Sequence, residues 1–327
     1  MRLCVLLLPA TAALLVSAPL GGRPSPGRPA PRASVLARTQ VVTDIDDTIK
    51  SSGGVSLGDI PLGGVDTSVS RNAFYPGVFQ FGFELAAGSV LFSRPQPIAI
   101  LTARARELKV FLEITQSSKL CVRYRQAGDA RGVSGWGVGP VLYGSIQEWI
   151  CQERKGWRKF ENFKLLQANN SKSTRYVFIG DNGKSEKDLE AARMMISEFP
   201  GLMRAVFIHA VSGETQPAPL PDDESIDGVP VFYFRTYATA ARKAAENGFI
   251  TGAALKRVCN AIEEDLAADM ENFAPGSSNE ALVREELATA RGGEKLGVVR
   301  STVAIVARPL GSLRDRLRRQ KKDPGAE

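Results

Sequence analysis

The stretch VVTDIDDTIKSSGG, residues 41–54, sets three carboxylates, Asp44, Asp46 and Asp47, directly behind an apolar run. Alternation along an extended chain points Asp44 and Asp46 the same way, and two parallel carboxylates repel unless a cation or a shared proton lies between them. No His or Cys is close in sequence, so a cation held here would have oxygen ligands alone, which indicates Mg²⁺. Taken by itself, the stretch reads equally as an acidic turn or a helix start capped by Asp47 or Thr48.

Working outward, the same kind of segment recurs. VVTDID (41–46), PIAILTA (97–103), RYVFIGD (175–181) and RAVFIHAV (204–211) are nearly continuous apolar runs that end in polar residues, the pattern of parallel strands buried on both faces. Helical patterns alternate with them: ARELKVFLEIT, with Leu108, Phe111 and Leu112 on one face, and SEKDLEAARMMISEF behind the third run. Strand, loop and helix in repetition predict an α/β sheet. Ligands of such sheets sit beyond the carboxyl ends of the strands, where Asp44, Asp46, Thr102 and Asp181 all fall. The Gly-rich SSGGVSLGDIPLGGVD (51–66) and RQAGDARGVSGWGVG (125–139) read as insertions covering that edge. Further on, SGETQPAPLPDDESIDG reads as a hinge, followed by FYFRTYATAARKAAENG with its Asn-Gly helix stop and GAALKRVCNAIEEDLAADM. In the last of these Leu255, Val258, Ile262 and Leu266 make an apolar stripe expected to pack on the body.

Composition narrows the function classes. At 327 residues and 43% hydrophobic content the chain can bury a substantial core. Its formal charge of +7 is concentrated at the ends. Five Arg and no acid precede Asp44, and the tail from Arg314 holds six basic residues against three acids, which leaves the body within one charge of neutral. Nucleic-acid binding is therefore not indicated, since it requires a basic face on the folded domain. Cys121, Cys151 and Cys259 are far apart with no CxxC spacing, so neither a zinc site nor a disulfide framework is expected. The single histidine, His209, lies inside an apolar run and reads as a strand residue; its solitude excludes HExxH zinc sites and argues against a Ser-His triad. GDNGKS fails as a phosphate-binding Walker loop because Phe178 stands where its first glycine belongs. DIDDTI fails as a Ca²⁺ loop because Thr48 and Ile49 replace the third acid and the glycine.

The expected organisation is a targeting leader (1–40), a core (41–212), a hinge and helical part packed on the core (213–272), and a C-terminal extension with a basic tail (273–327). MRLCVLLLPATAALLVSAPL reads as a signal peptide, broken by Pro9 and Pro19 and too short for a good membrane span. The acid-free basic segment behind it resembles the second half of a bipartite plastid-targeting leader; a plain secretory signal with a disordered linker, leading to secretion or an endomembrane lumen, is the alternative. The tail SLRDRLRRQKK could tether the protein peripherally to an anionic membrane surface.

The motifs occur in a telling order: DIDDT at 44–48, LTAR at 101–104, RKGWRKFENFK at 154–164 and GDNG at 180–183. This resembles the four-motif layout of the haloacid dehalogenase superfamily of aspartate-dependent phosphotransferases. With FYPGVFQFGFEL (74–85), AVFIHAV and FRTYATAA added, the span from Val41 to Asp265 is similar to the actin-patch-associated, lipin-like phosphatidate phosphatase catalytic domain. The resemblance implies a Rossmannoid parallel sheet with helices on both faces, loop or cap insertions and a C-terminal helical extension. It also implies Mg²⁺-dependent hydrolysis of a phosphomonoester, phosphatidate to diacylglycerol in the best-known members, on a phospholipid substrate at a membrane surface. The implied roles are Asp44 as nucleophile, Asp46 as general acid and base, Thr102 as a phosphoryl-oxygen ligand, and Lys159, chosen over Lys155 and Lys164, as the neutralising lysine. Asp44, Asp46, Asp181 and a second acid of the fourth motif would surround the metal. Spacing alone gives that last place to Glu186, whereas a two-residue insertion gives it to Asp188, the preferred reading. A soluble phosphomonoester phosphatase and a catalytically idle membrane or protein scaffold of the same family are the alternatives.

Overall fold

Val41 and Val42 are both fully buried yet belong to opposite faces of one sheet, and that pair of neighbours fixes the layering of the molecule. The computed structural model describes residues 38–54, 56–57, 60–61, 64–88, 94–105, 114–144, 154–183, 186–211, 219–268, 273 and 277–306. The leader up to residue 37, the helical pattern at 106–113 with Leu108, Phe111 and Leu112, the start of the segment read as a hinge (212–218), and the basic tail from 307 lie outside the described residues.

In chain order the strands are β1 (Thr39–Thr43), β2 (Ser56–Leu57), β3 (Ile60–Pro61), β4 (Ile98–Ala105), β5 (Val138–Gly144), β6 (Arg175–Asp181), β7 (Met203–His209), β8 (Glu224–Ile226) and β9 (Val229–Phe234). Seven of them form one sheet in the order β5-β4-β1-β6-β7-β9-β8, parallel throughout except for the edge pair β9 and β8; β2 and β3 pair separately as an antiparallel hairpin. All five residues of β1 are buried, as an apolar run flanked by strands on both sides and layers on both faces must be.

The described helices are α1 (Val78–Ala87), α2 (Lys119–Asp129), α3 (Lys155–Asn169), α4 (Lys187–Glu198), α5 (Tyr237–Glu246), α6 (Gly252–Ala268) and α7 (Ser278–Val306). Helices α3 and α4 cover the face of Val42, with Phe163, Leu166, Leu189 and Met195 in its core. Helices α1, α2, α5, α6 and α7 cover the face of Val41. The stripe Leu255, Val258, Ile262 and Leu266 is buried along α6, as its spacing predicts. Cys121 and Cys259 are buried and not joined in a disulfide. No helix among the described residues is long and apolar enough to cross a membrane.

Two sequence expectations about organisation meet a different structure. RQAGDARGVSGWGVG is not a cover over the carboxyl edge: it is the end of α2, a tight turn and the start of edge strand β5. Trp136 in that turn is buried, donates from Nε1 to the Gln96 carbonyl (2.9 Å), and lies beside Gly137, whose carbonyl accepts from Ile98 N at the amino end of β4. The aromatic anchor thus draws the turn into the core at the edge opposite the candidate site. The sheet also continues past residue 212, because VPVFYF, whose FYF opens the segment read as ending in a helix stop, is β9, paired with β7 from Val206–Val231 to His209–Phe234.

The order of the strands places a switch point at β1. From β1 the chain moves outward through β4 and β5, then returns to the other side of β1 with β6 and moves outward again through β7 and β9. The carboxyl ends of β4, β1 and β6 therefore open onto one crevice.

Candidate active site

Asp44 begins where β1 ends. Its N–H still donates to the Ile179 carbonyl (3.1 Å), so the backbone is locked to β6 before the chain leaves the sheet. The chain then curls around the Ile45 carbonyl, which accepts from the N–H groups of Thr48, Ile49 and Lys50, while Ile45 and Ile49 bury their side chains beneath. Tyr237, from FRTYATAA, donates its hydroxyl to the Thr48 carbonyl (2.7 Å), so the C-terminal helical layer supports this loop from below.

The three opening acids divide their work. Asp47 makes the turn: it is fully buried at φ 58°, in the left-handed region that Asp tolerates better than most residues. Its carboxylate accepts from the N–H groups of Ser52 (2.8 Å), Val65 (2.5 Å) and Asp66 (3.0 Å), clasping the loop that carries the β2–β3 hairpin. Burial raises the Asp47 carboxyl above its usual range while those three donors pull it back. Its carbonyl lies 2.7 Å from His209 Nδ1, and His209 Nε2 is 2.9 Å from the Arg235 carbonyl. His209 is thus the last residue of β7 and a brace for the acid loop, in keeping with its reading as a strand residue.

Asp44 faces the other way, into a charged cluster. Its Oδ2 accepts from Lys159 Nζ at 2.8 Å, and the same ammonium is paired with Asp188 Oδ1. Lys159 reaches this point from α3, whose first turn presses on α4. A Cβ on Gly156 would come within 2.8 Å of the Lys187 carbonyl, so only glycine lets the two helices approach this closely. Asp188, in the first turn of α4, also accepts from Asp181 N (3.2 Å), and it fills the space over Gly180 that any side chain there would claim. Asn182 fixes the end of β6 by donating to the His209 carbonyl and accepting from Val211 N.

One carboxylate oxygen each from Asp44, Asp181 and Asp188 lie within 4.8 Å of one another. Burial raises the Asp44 carboxyl to about 6 in spite of the pull of Lys159, with Asp188 and Asp46 adding repulsion. Asp181 is pushed well above the usual carboxylate range by burial first and Asp188 second. For Lys159, burial disfavours the charge, but the attraction of Asp188, Asp44 and Asp181 outweighs it and the ammonium is held more firmly than an ordinary lysine. Three acids thus face one base, and Asp44 Oδ1 is buried without a hydrogen-bond partner among the described residues. That orphaned oxygen, the surplus negative charge and the all-oxygen donor set fit a hard divalent cation.

Of the residues predicted from sequence, Asp44, Lys159, Asp181 and Asp188 come together. Thr102 is buried in the carboxyl half of β4, beside β1 in the register that pairs Thr43 with Ile100. Asp46 is partly exposed and acts on Asp44 through its charge, but its carboxylate does not belong to the set of three. Glu186 is exposed at the N-cap of α4 and stands outside the cluster, because the helix starts one residue later and turns Asp188 inward. Lys155, one turn before Lys159, lies within electrostatic reach of Asp44, Asp181 and Asp46; burial, then Lys159, lowers its affinity for a proton. Lys164 pairs with Glu161 on the surface (2.6 Å).

Sequence reasoning did not single out Gly156, Gly180, Asp66 or Asn162. Asp66 is buried, accepts from Tyr75 Oη (2.5 Å), and receives the loop that Asp47 clasps. Asn162 donates to the Tyr143 carbonyl and so ties α3 to β5. A glycine directly after the first lysine of a lysine-rich helix start, and one directly before a motif aspartate, were the available signals for the first two. No family model matches the chain, and no curated protein or solved structure matches it either.

Proposed function

We propose that the chain is a haloacid-dehalogenase-like, Mg²⁺-dependent phosphomonoester hydrolase that works through an aspartyl-phosphate, with phosphatidate as its substrate. The observation that carries this reading is the buried Asp44 carboxylate, held on one oxygen by Lys159, unpartnered on the other among the described residues, and set against two further acids at the carboxyl edge of the sheet. A carboxylate kept this short of partners inside a protein is costly unless it has work to do.

In this proposal Asp44 attacks phosphorus, the ester P–O bond breaks, and the leaving alkoxide takes a proton from Asp46. Water then attacks the phosphorus, giving its proton to Asp46, and the P–O bond to Asp44 breaks to release phosphate. Lys159 offsets charge on Asp44 as the phosphoryl group approaches, and Thr102 holds a phosphoryl oxygen. Asp44, Asp181 and Asp188 would hold the Mg²⁺, which when bound cancels carboxylate charge and polarises the phosphoryl group. Asp46, outside that set and partly exposed, is placed to exchange protons with solvent.

The test is phosphate release from phosphatidate in mixed micelles and from soluble phosphomonoesters, with Mg²⁺ and with chelator, using Asp44→Asn as control. Release from phosphatidate that needs both Mg²⁺ and Asp44 is the expected result. Activity on soluble esters alone would move the substrate and keep the chemistry. Silence on every ester would leave the chain a scaffold.

A further inference from the structure

The described residues expose two large hydrophobic side chains, Trp157 (43% exposed) and Leu165 (57%), both on α3. Trp157 stands in the first turn, directly beside the residues that build the site. The Arg154 guanidinium lies 5.8 Å and that of Arg158 5.5 Å from its ring centroid, so two cations lie within reach of the indole. Trp157 and Lys159 are two residues apart, hence on opposite sides of the helix: while Lys159 turns inward to Asp44, Trp157 turns outward on the same rim. Lys155, one turn before Lys159, lies within electrostatic reach of Asp44, Asp181 and Asp46.

We propose that the first turn of α3, through Trp157, Arg154 and Arg158, seats on an anionic lipid surface and so presents the crevice above Asp44 to the lipid–water interface. An amphipathic indole beside guanidiniums matches the two layers of such a surface, the ring at headgroup depth and the cations at the phosphates. Charge complementarity selects the occupant: the turn carries Arg154, Lys155 and Arg158, and Glu161 and Glu190 are paired with Lys164 and Lys187. The choice of lipid rests on the phosphatase reading above, which requires a substrate headgroup at this rim; the surface itself involves none of the residues given a role in the chemistry.

The experiment is co-sedimentation of the full chain with phosphatidylcholine vesicles, with and without phosphatidylserine. Wild type is expected to bind the anionic vesicles. Arg154→Ala/Arg158→Ala should bind them about 25-fold more weakly, a basic residue near an anionic surface being worth about fivefold, and Trp157→Ala about tenfold more weakly. Leu165→Ala, about 12 Å further along the helix, should bind as wild type does. Brominated lipid should quench wild-type tryptophan fluorescence more than that of Trp157→Phe. Hydrolysis of a soluble ester should be unchanged in all of these variants. Vesicle binding indifferent to Trp157 and the two arginines, or weakened as much by Leu165→Ala, would overturn the proposal. So would a wild-type dimer that Trp157→Ala converts to a monomer with vesicle binding intact, since the patch would then belong to a second copy. The two readings fail separately. Phosphatidate hydrolysis with indifferent vesicle binding sinks the surface alone, whereas Trp157-dependent binding by a chain that hydrolyses no ester sinks the phosphatase alone.

Discussion

Two buried charge clusters sit on opposite faces of this molecule, and they are built on opposite rules. On the α1 face Glu84 is almost wholly buried, yet its charge is closed off: Arg257 grips it through Nε (2.6 Å) and Nη2 (2.8 Å), Gln80 donates to it (2.7 Å), and Arg131 lies at 3.7 Å. At the carboxyl edge three acids share one lysine and an oxygen of Asp44 has no hydrogen-bond partner among the described residues. The first arrangement joins α1 to α6 and leaves nothing over. The second leaves charge unmatched in the interior, which folding alone does not favour. Asymmetry of this kind separates a site from a brace more sharply than burial does.

The largest effect expected from breaking the asymmetry is on turnover. Asp44→Asn is nearly isosteric but is not a nucleophile, so phosphate release should fall at least about a thousandfold, with the folded structure retained by circular dichroism. Residual activity within tenfold of wild type would remove Asp44 from the role. The matched cluster should respond in the reverse sense. Glu84→Ala leaves Arg257 without its partner and should cost about 3 kcal/mol of stability, read by urea denaturation, while turnover at low temperature stays near wild type. A loss of activity without a loss of stability would make Glu84 part of the function and erase the distinction.

Within the unmatched cluster, Asp188 and Glu186 offer a finer cut. Asp188 is buried against Lys159 and Asp181 N, and Glu186 is exposed at the helix cap. Asp188→Asn should raise the Mg²⁺ concentration needed for half-maximal activity by about 10- to 100-fold, and Glu186→Gln by less than about twofold. The opposite ranking would restore the ungapped spacing.

How far the sequence could be read follows the same division. The apolar strands ending in Asp44, Thr102 and Asp181 were legible because central parallel strands need continuous apolar runs, and their ends fall on one edge by topology. Lys159 and Asp188 were legible only as preferences among neighbours, since spacing does not say where a helix begins; the start of α4 at Lys187 settles which acid turns inward. Phe79, Phe81, Phe83 and Leu85 alternate as a strand would, yet they lie on α1, a helix buried on nearly all sides, where no single face has to be apolar. The strand β9 carries Pro230 and follows an acidic segment, both cues for a loop, but its pairing with β7 overrides them. Asp47 could not be told from Asp44 by composition. Only the left-handed backbone and the three N–H groups around it show that one acid of the triplet is a clasp.

The smallest effect is also the most direct measure of the unmatched charge. Without metal, burial holds the Asp44 carboxyl at about 6 and Asp181 well above the carboxylate range, whereas both should ionise near 4 in the unfolded chain. Between those limits the native state binds more protons than the unfolded state, so stability must fall as pH rises through the window, and the part contributed by Asp44 levels off once Asp44 is ionised. This is the reverse of a carboxylate in a closed ion pair. Other groups titrate over the same range, so the informative quantity is the difference between wild type and Asp44→Asn, which cannot ionise at that position. In metal-free buffer wild type should lose midpoint temperature relative to Asp44→Asn from roughly pH 4 to pH 6 and hold a constant offset above it. Saturating Mg²⁺ should flatten the difference, because a cation stabilises the ionised carboxylates that protons otherwise neutralise. If the difference instead grew in favour of wild type with rising pH in the absence of metal, Lys159 alone would be satisfying Asp44, and the cluster would be a brace like that of Glu84.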